Sequence, residues 1–472
     1  MKMCGGTLCA LFFGLAAVAE ASAGSLRDDF SSVVFLRDYN TRLVLISTAL
    51  LGVAGGLAGS FLLLRKRSLM GDALSHATLP GIVLAFMFAV HFTGGGRSFA
   101  VLITGAAVTG ILGCVVVLLI RGLTRVKDDA AMGIVLSVFY GAGVVLLSVV
   151  QHMPEAGTAG LESFLYGKTA SMVRTDFYLV SGAAVISLFA SLALFKEFRL
   201  LCFDEEYARS MGWPTHALDV LMLLLVTLVT VVGLQAVGVV LIIAFLIIPA
   251  ASARMWTSRF GWMLVLAAGF GGASGWLGAG LSALAPGLPA GAVIVLTAAA
   301  FFVLSLLAGP DRGIVGRAVR AALLKRRIER QHLLRGIYEV LEETGPAPQL
   351  AGEGTPVVPW AALERKRSWT PRELRRVVRR AYRQGLVETM GRAGLRLTDA
   401  GARAAARVTR NHRLWEIYLV EHADIAPTHV DRDADAVEHI LGADIIRRLE
   451  ATLPSAARPA ADGVPASPHP IR

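Results

Sequence analysis

Nine separate apolar runs, at about 42–64, 77–93, 99–120, 131–150, 176–195, 217–234, 236–253, 261–283 and 290–308, constrain this chain more than any other feature. Each approaches the roughly 20 residues a helix needs to cross a bilayer core of about 30 Å. In hydrocarbon, backbone polar groups must be paired inside their own segment, so runs of this length are read as helices. The expectation is an all-α polytopic membrane body with about nine transmembrane helices over residues 41–310. An ordinary cytosolic enzyme is excluded. Composition agrees: 55% of the 472 residues are hydrophobic and 17% charged, against about 25% charged in soluble domains.

The charges between the runs give the orientation. Arg65-Lys66-Arg67, Arg121/Arg125/Lys127, Lys196/Arg199, Arg254/Arg259 and Arg312/Arg317/Arg320 follow the first, third, fifth, seventh and ninth runs. Basic loops stay inside, so the start of the first span is expected outside and everything after the ninth in the cytoplasm. Before the spans, Lys2, the apolar run Leu8–Ala19 and Ala21-Ser22-Ala23 give residues 1–23 the layout of a cleavable signal peptide. An uncleaved first membrane helix is the other reading. Cys4, Cys9, Cys114 and Cys202 lack CxxC spacing, which supports neither a disulfide framework nor a cysteine zinc site. The region 217–253 is broken only by Gly233, Gln235 and Gly238, and reads either as two spans or as a span with a re-entrant element.

Past Pro310 the character changes. Residues 311–413 carry 23 basic and 10 acidic side chains, and 414–472 carry 5 and 10, so the formal net charge of +11 is concentrated in one stretch. A basic linker helix (311–328) leads into a soluble domain (329–453), with Val315–Glu343, Trp360–Arg367, Thr370–Gln384 and Thr398–Tyr418 expected as helices. Gly385-Leu386-Val387 and Leu395-Arg396-Leu397 read as strands around a turn at Gly391–Gly394. Helix, helix and hairpin outline a winged helix-turn-helix. Arg372, Arg375, Arg376, Arg379, Arg380 and Arg383 on its second helix and Arg392 in the wing form the distribution a major-groove helix needs. Solvation of a surface or contact with anionic lipid would use the same charges. The Pro/Ala-rich end, 454–472, reads as disordered.

Two ligand-type constellations stand out. Asp72 and His76, at i and i+4 in Gly71-Asp72-Ala73-Leu74-Ser75-His76-Ala77-Thr78-Leu79-Pro80-Gly81, share one helix face at the entry to the second span. Carboxylate oxygen with neutral imidazole nitrogen suits Mn²⁺, Zn²⁺ or Fe²⁺ alike, and ionisable groups in a spanning helix point to function; helix capping at the interface is the alternative. In the tail, Asp435, Glu438 and His439 share a helical face and join Asn411-His412-Arg413-Leu414-Trp415-Glu416 and Asp431 as O and N donors, or as a solvated surface. Gly167-Lys168-Thr169 lacks the upstream glycine of a phosphate-binding loop, since position 162 is Glu162. No nucleotide fingerprint remains, so the chain is not expected to be an enzyme or to hydrolyse ATP alone.

The block Gly71–Gly81 resembles the signature of the manganese, zinc and iron permeases of ATP-binding-cassette importers. Lys127–Ile134, Leu161–Lys168, Phe203–Gly212, Gly233–Gly238 and Leu288–Ala292 follow in the same order. The resemblance implies a dimerising permease, with a second copy or a paralogue, in the bacterial inner membrane. It implies a separate ATPase subunit and an extracytoplasmic solute-binding protein as partners. Asp72 and His76 would then be pathway ligands. Phe203, Asp204, Glu205, Ala208, Arg209 and Gly212 would form the coupling helix that docks in the ATPase.

Residues 329–453 are similar to the iron- or manganese-dependent repressors of the diphtheria-toxin-repressor class, through Ile337-Tyr338, Leu395-x-Leu397-Thr398-x-x-Gly401, His412-Arg413-Leu414-x-Glu416 and Glu438-His439. By position, His412, Glu416, Asp435, Glu438 and His439 fall where that family holds a regulatory divalent metal, and Asp431 stands where it commonly has His. The first helix departs: His332 and Arg335 stand where acidic or thioether ligands are expected, and a cation cannot ligate a metal. Two roles compete for the tail, gating of transport and DNA binding. For the whole chain, a membrane-tethered metal sensor without transport is the alternative to a metal permease.

Overall fold

The computed structural model describes residues 38–93, 99–152, 169, 172–284, 288–343, 356–367, 369–422 and 464–465. Residues 1–23, expected as a signal peptide, the Leu161–Lys168 stretch and Asp431, Asp435, Glu438 and His439 lie outside the described residues. The chain divides into two compact units, Met1–Arg317 and Ala318–Arg472.

In the first unit the long helices are α1 (Tyr39–Leu64), α2 (Met70–Thr93), α3 (Phe99–Leu123), α4 (Asp128–Gln151) and α5 (Arg174–Ala193). The short helices α6 (Phe195–Phe203) and α7 (Glu205–Ser210) follow. Then come α8 (Thr215–Val237), α9 (Val239–Trp256), α10 (Phe260–Leu284) and α11 (Ala290–Ala308). Nine of them, among the described residues, are long and apolar enough to cross a membrane. The second starts at Met70 rather than 77, because the polar segment through His76 is helical although it is not apolar. Region 217–253 resolves as two helices meeting at Gly238, whose φ of 87° favours glycine.

Burial separates an inner set from an outer set. Of the most apolar window, 78% is buried in α1 and α8 and 67% in α2, against 17% in α4. Exposed Val138, Val145 and Val149 on α4, and Val108, Leu112 and Leu119 on α3, suit a lipid or protein surrounding. The most extensive contact is α1 against α10, and its cause is glycine at i, i+4 on both helices. A Cβ on Gly52 would stand 2.1 Å from Gly271 O, on Gly56 2.3 Å from Ala267 O, and on Gly275 2.3 Å from Thr48 O. Backbones can approach that closely only over small residues. Thr48 Oγ1 then donates across the seam to Gly275 O at 3.1 Å.

The helix α12 (Ile314–Glu343) begins in the last residues of the first unit and runs unbroken past residue 328, so the expected limit of the linker helix coincides with no break in the helix. After it come α13 (Trp360–Lys366), α14 (Pro371–Arg383), β1 (Val387–Thr389), β2 (Leu395–Leu397) and α15 (Asp399–His422). The strands pair antiparallel with Val387 opposite Leu397. The first strand begins two residues later than expected because Gly385, at φ 67°, turns the chain out of α14. The core packs Leu333, Ile337 and Leu341 of α12 against Leu374, Val377 and Val378 of α14 and Leu395 and Leu397 of β2. A reciprocal Thr370–Glu373 capping box with Pro371 at N1 starts α14. The Leu395-x-Leu397-Thr398-x-x-Gly401 pattern is a helix start: Thr398 Oγ1 accepts from Gly401 N at 3.0 Å, and a Cβ on Gly401 would lie 1.8 Å from Leu386 O. Within the tail expected to be disordered, Val464 packs on this core and Pro465 O accepts from Arg413 Nη1 at 2.8 Å.

Candidate functional site

Asp72 sits in the first turn of α2, where the unpaired N–H groups of a helix start favour a carboxylate. One turn on, His76 Nε2 lies 3.3 Å from Asp72 Oδ1, with both side chains about one-third exposed. The imidazole edge rests on the Tyr140 ring of α4, with centroids 4.8 Å apart. Below them Ser75 and Thr78 are buried, their hydroxyls donating to Gly71 O and Ser75 O. The pair thus offers two adjacent donors on a solvent-reachable face backed by a packed one. No group of three or more ligand-type side chains occurs among the described residues.

Close to the same end of α2 lies a cluster that sequence reasoning missed. Lys66 takes the left-handed conformation (φ 58°) and closes α1, with Arg67 N donating to Leu62 O at 2.8 Å and Lys66 N to Leu63 O at 3.2 Å. This turn aims the flanking arginines at one acid on α8. Arg67 Nη1 reaches both oxygens of Asp219 at 3.0 Å, and Arg65 Nη2 reaches Asp219 Oδ1 at 3.3 Å. Arg65 also holds Glu205 Oε2 of α7 at 2.8 Å, and Arg67 Nε and Arg121 Nε hold Asp128 at 3.2 and 3.3 Å. Three guanidiniums and three carboxylates balance, with Arg65, Arg67 and Asp219 nearly closed to solvent. Burial works to raise the Glu205 carboxyl, but the Arg65 hydrogen bond and charge outweigh it and hold it below its ordinary value. The one sequence signal was Asp219 itself, an acid in an otherwise apolar span.

That cluster anchors the Phe203–Gly212 segment. Asp204 caps α7 by accepting from Tyr207 N at 2.8 Å, Glu205 is tied to Arg65, and Ala208 is buried. Arg209 remains exposed beside Glu205, and Gly212 turns the chain at φ 81°. The acids expected to contact a partner are thus used internally. Among the exposed Asp204, Glu206 and Arg209, the segment also presents an apolar set outward: Phe203, Tyr207, Met211 and Trp213 are all exposed. Cys202, behind it, is a packing residue whose thiol burial pushes up to about 12.

In the second unit Arg372, Arg375, Arg376, Arg379, Arg383 and Arg392 are exposed. Arg380 instead pairs with Glu329 Oε2 of α12 at 2.9 Å. Arg375 and Arg392 line a cleft of about 390 Å³ with Trp360 and Leu374. His412 and Glu416 are buried, with His412 Nε2 3.0 Å from Glu416 Oε1. Arg335 Nη1 meets His412 Nδ1 at 2.6 Å, and Arg367 Nη1 meets His332 Nδ1 at 2.9 Å.

Comparison with known proteins agrees with this division. The ABC 3 transport family matches residues 37–309, and the iron dependent repressor, metal binding and dimerisation domain matches residues 398–458. The manganese transport system membrane protein MntC of Bacillus subtilis (strain 168) is 36% identical over 398 residues, covering 84% of this chain and 88% of that protein. A match of that length necessarily runs past Pro310 into the second unit. The zinc transport system membrane protein TroC of Treponema pallidum (strain Nichols) is 41% identical over 278 residues, 59% of this chain and 92% of the relative. Among solved structures, PsaBC from Streptococcus pneumoniae in complex with Fab has 32% identity and a TM-score of 0.52, covering 61% of this chain and 97% of that one. This multi-pass membrane chain belongs to the ABC 3 transport family and carries, after its membrane unit, a metal-binding and dimerisation segment of the iron-dependent repressor type.

Proposed function

We propose that the chain is the permease subunit of an ATP-binding-cassette importer that moves a divalent transition metal, Mn²⁺ or Zn²⁺ by its relatives' names, across the bacterial inner membrane. The observation that carries this is the Asp72–His76 contact at the start of α2, inside the family match. Two donors are fewer than the four or more a transition-metal ion takes, so a second permease copy supplying the same pair would complete the shell. A solute-binding protein delivers the ion outside and a separate ATPase supplies the work. The exposed Phe203, Tyr207, Met211 and Trp213 patch is the surface on which the ATPase docks. A sensor without transport is not favoured, because the relatives matched over the membrane unit are transport-system proteins.

The test is uptake in cells lacking their own importer and supplied with this chain and its two partners. Replacing Asp72 and His76 together by Ala is expected to cut accumulation of the transported metal at least tenfold, with the chain still inserted in the membrane. Unchanged uptake refutes the ligand assignment, and competition among Mn²⁺, Zn²⁺ and Fe²⁺ identifies the cargo.

The second unit is read as a cytoplasmic metal sensor, with His412, Glu416, Asp431, Asp435, Glu438 and His439 the positions where the family resemblance expects the ion. The exposed arginines of α14 and Arg392 favour a nucleic-acid output over gating. For the full chain in nanodiscs with a duplex of its own promoter, log K should fall with log salt by about 0.9 per phosphate contact. Arg375→Ala and Arg392→Ala should each flatten that slope by about 1. No DNA binding with Mn²⁺ or Fe²⁺ present would leave gating as the output.

A further inference from the structure

The departure at Arg335 has a structural counterpart. A neutral imidazole carries one ring N–H and one lone pair. Here the N–H on Nε2 faces the Glu416 carboxylate at 3.0 Å, which leaves the lone pair on Nδ1 to accept from Arg335 Nη1 at 2.6 Å. The opposite tautomer would set an N–H against a guanidinium N–H, two donors facing. The nitrogen that a metal would use is therefore already engaged. Arg335 Nε also lies 3.1 Å from Glu339 Oε1, one turn along α12. Arg335 and His412 are 2% exposed and Glu416 is fully buried, so the guanidinium cannot swing into water without opening the core. Its charge is permanent at any physiological pH, and from its place on the imidazole it repels a dication approaching His412. These residues do not fit a metal ion.

We propose that Arg335 is a resident cation occupying the place of a metal at His412–Glu416. The pair then binds no metal and fastens α15 to α12 at every metal concentration. Sensing is left to the Asp431, Asp435, Glu438 and His439 set. The inference rests on the reading of this unit as a metal sensor, and the two can fail separately.

The test is a count of bound Mn²⁺ on the full chain in nanodiscs, with Asp72→Ala and His76→Ala in every sample so that the transport pair contributes nothing, reading free Mn²⁺ by electron paramagnetic resonance. His412→Gln should leave the count unchanged while Arg335 is present. Arg335→Glu, which adds an oxygen donor and removes the cation, should raise the count by one per chain, and adding His412→Gln should abolish that gain. Glu416→Gln gives the same reading if His412→Gln does not fold. Loss of one ion on His412→Gln in the Arg335 chain overturns the proposal, as does an Arg335→Glu chain that gains none. A parent chain that binds no Mn²⁺ at all sinks the sensor reading, but the Arg335→Glu gain is still required.

Discussion

Asp219→Ala is expected to remove most folded protein from the membrane and with it all uptake. The substitution leaves Arg65 and Arg67 facing each other, nearly closed to solvent, with their shared counter-charge gone. Stripping one partner from a buried ion pair costs about 3–5 kcal/mol, a large part of a typical total of about 5–15 kcal/mol. Asp219→Asn keeps the volume and one acceptor, so it should fold at reduced yield. Its expected defect is functional: Arg65 holds both Asp219 and Glu205, so loosening one frees α7 and the patch beside it. Proteoliposomes containing the ATPase should show hydrolysis with less metal moved per ATP. Wild-type coupling efficiency in the Asn variant would show that the cluster is structural only. The pH dependence has a definite sign. Glu205 is held below its ordinary value, so its contribution is complete at neutral pH and is lost as pH falls through that lowered value. The stability gap between Glu205→Gln and the parent chain should therefore be constant around neutrality and close only in acid.

Gly52→Val is the second large effect. Its Cβ alone would stand 2.1 Å from Gly271 O, and both contact partners are backbone, so relief requires the α1 and α10 axes to separate. Overpacking usually costs about 1–3 kcal/mol. Here the separation also breaks the Thr48–Gly275 bond and the neighbouring Gly56 contact, so a loss of about 3 kcal/mol or more is expected. Gly122→Ala is the control, since nothing lies within 4 Å of a Cβ at that site in α3. It should be neutral or slightly stabilising through helix propensity. Thermal unfolding in one detergent, followed by size-exclusion fluorescence, separates the two. Equal melting temperatures would refute the seam.

The number, order and approximate limits of the membrane helices were legible in the sequence because bilayer thickness fixes the length of an apolar run. Helix type alone carried the second unit as well: α12, α14 and α15 fall within a few residues of their expected positions. The errors have local causes. Met70–His76 joined α2 because a polar first turn is compatible with a helix start, and Gly385 pushed β1 along by taking a positive φ. Within the site, Asp72 and His76 met as their i, i+4 spacing required. The Asp219 cluster was out of reach, because Arg65, Arg67, Arg121, Asp128, Glu205 and Asp219 belong to separate segments that only packing brings together.

Sequence by itself determined a multi-pass membrane body with a basic, less apolar unit behind it, since hydropathy and charge are properties of segments. It also flagged Arg335 as a residue that cannot ligate. Tertiary structure alone decided what that arginine does, where Glu205 spends its charge and why α1 needs its glycines. Those answers depend on distances between chain segments far apart in sequence, and in a nearly water-free interior a few tenths of an ångström decide whether two groups pair, repel or collide.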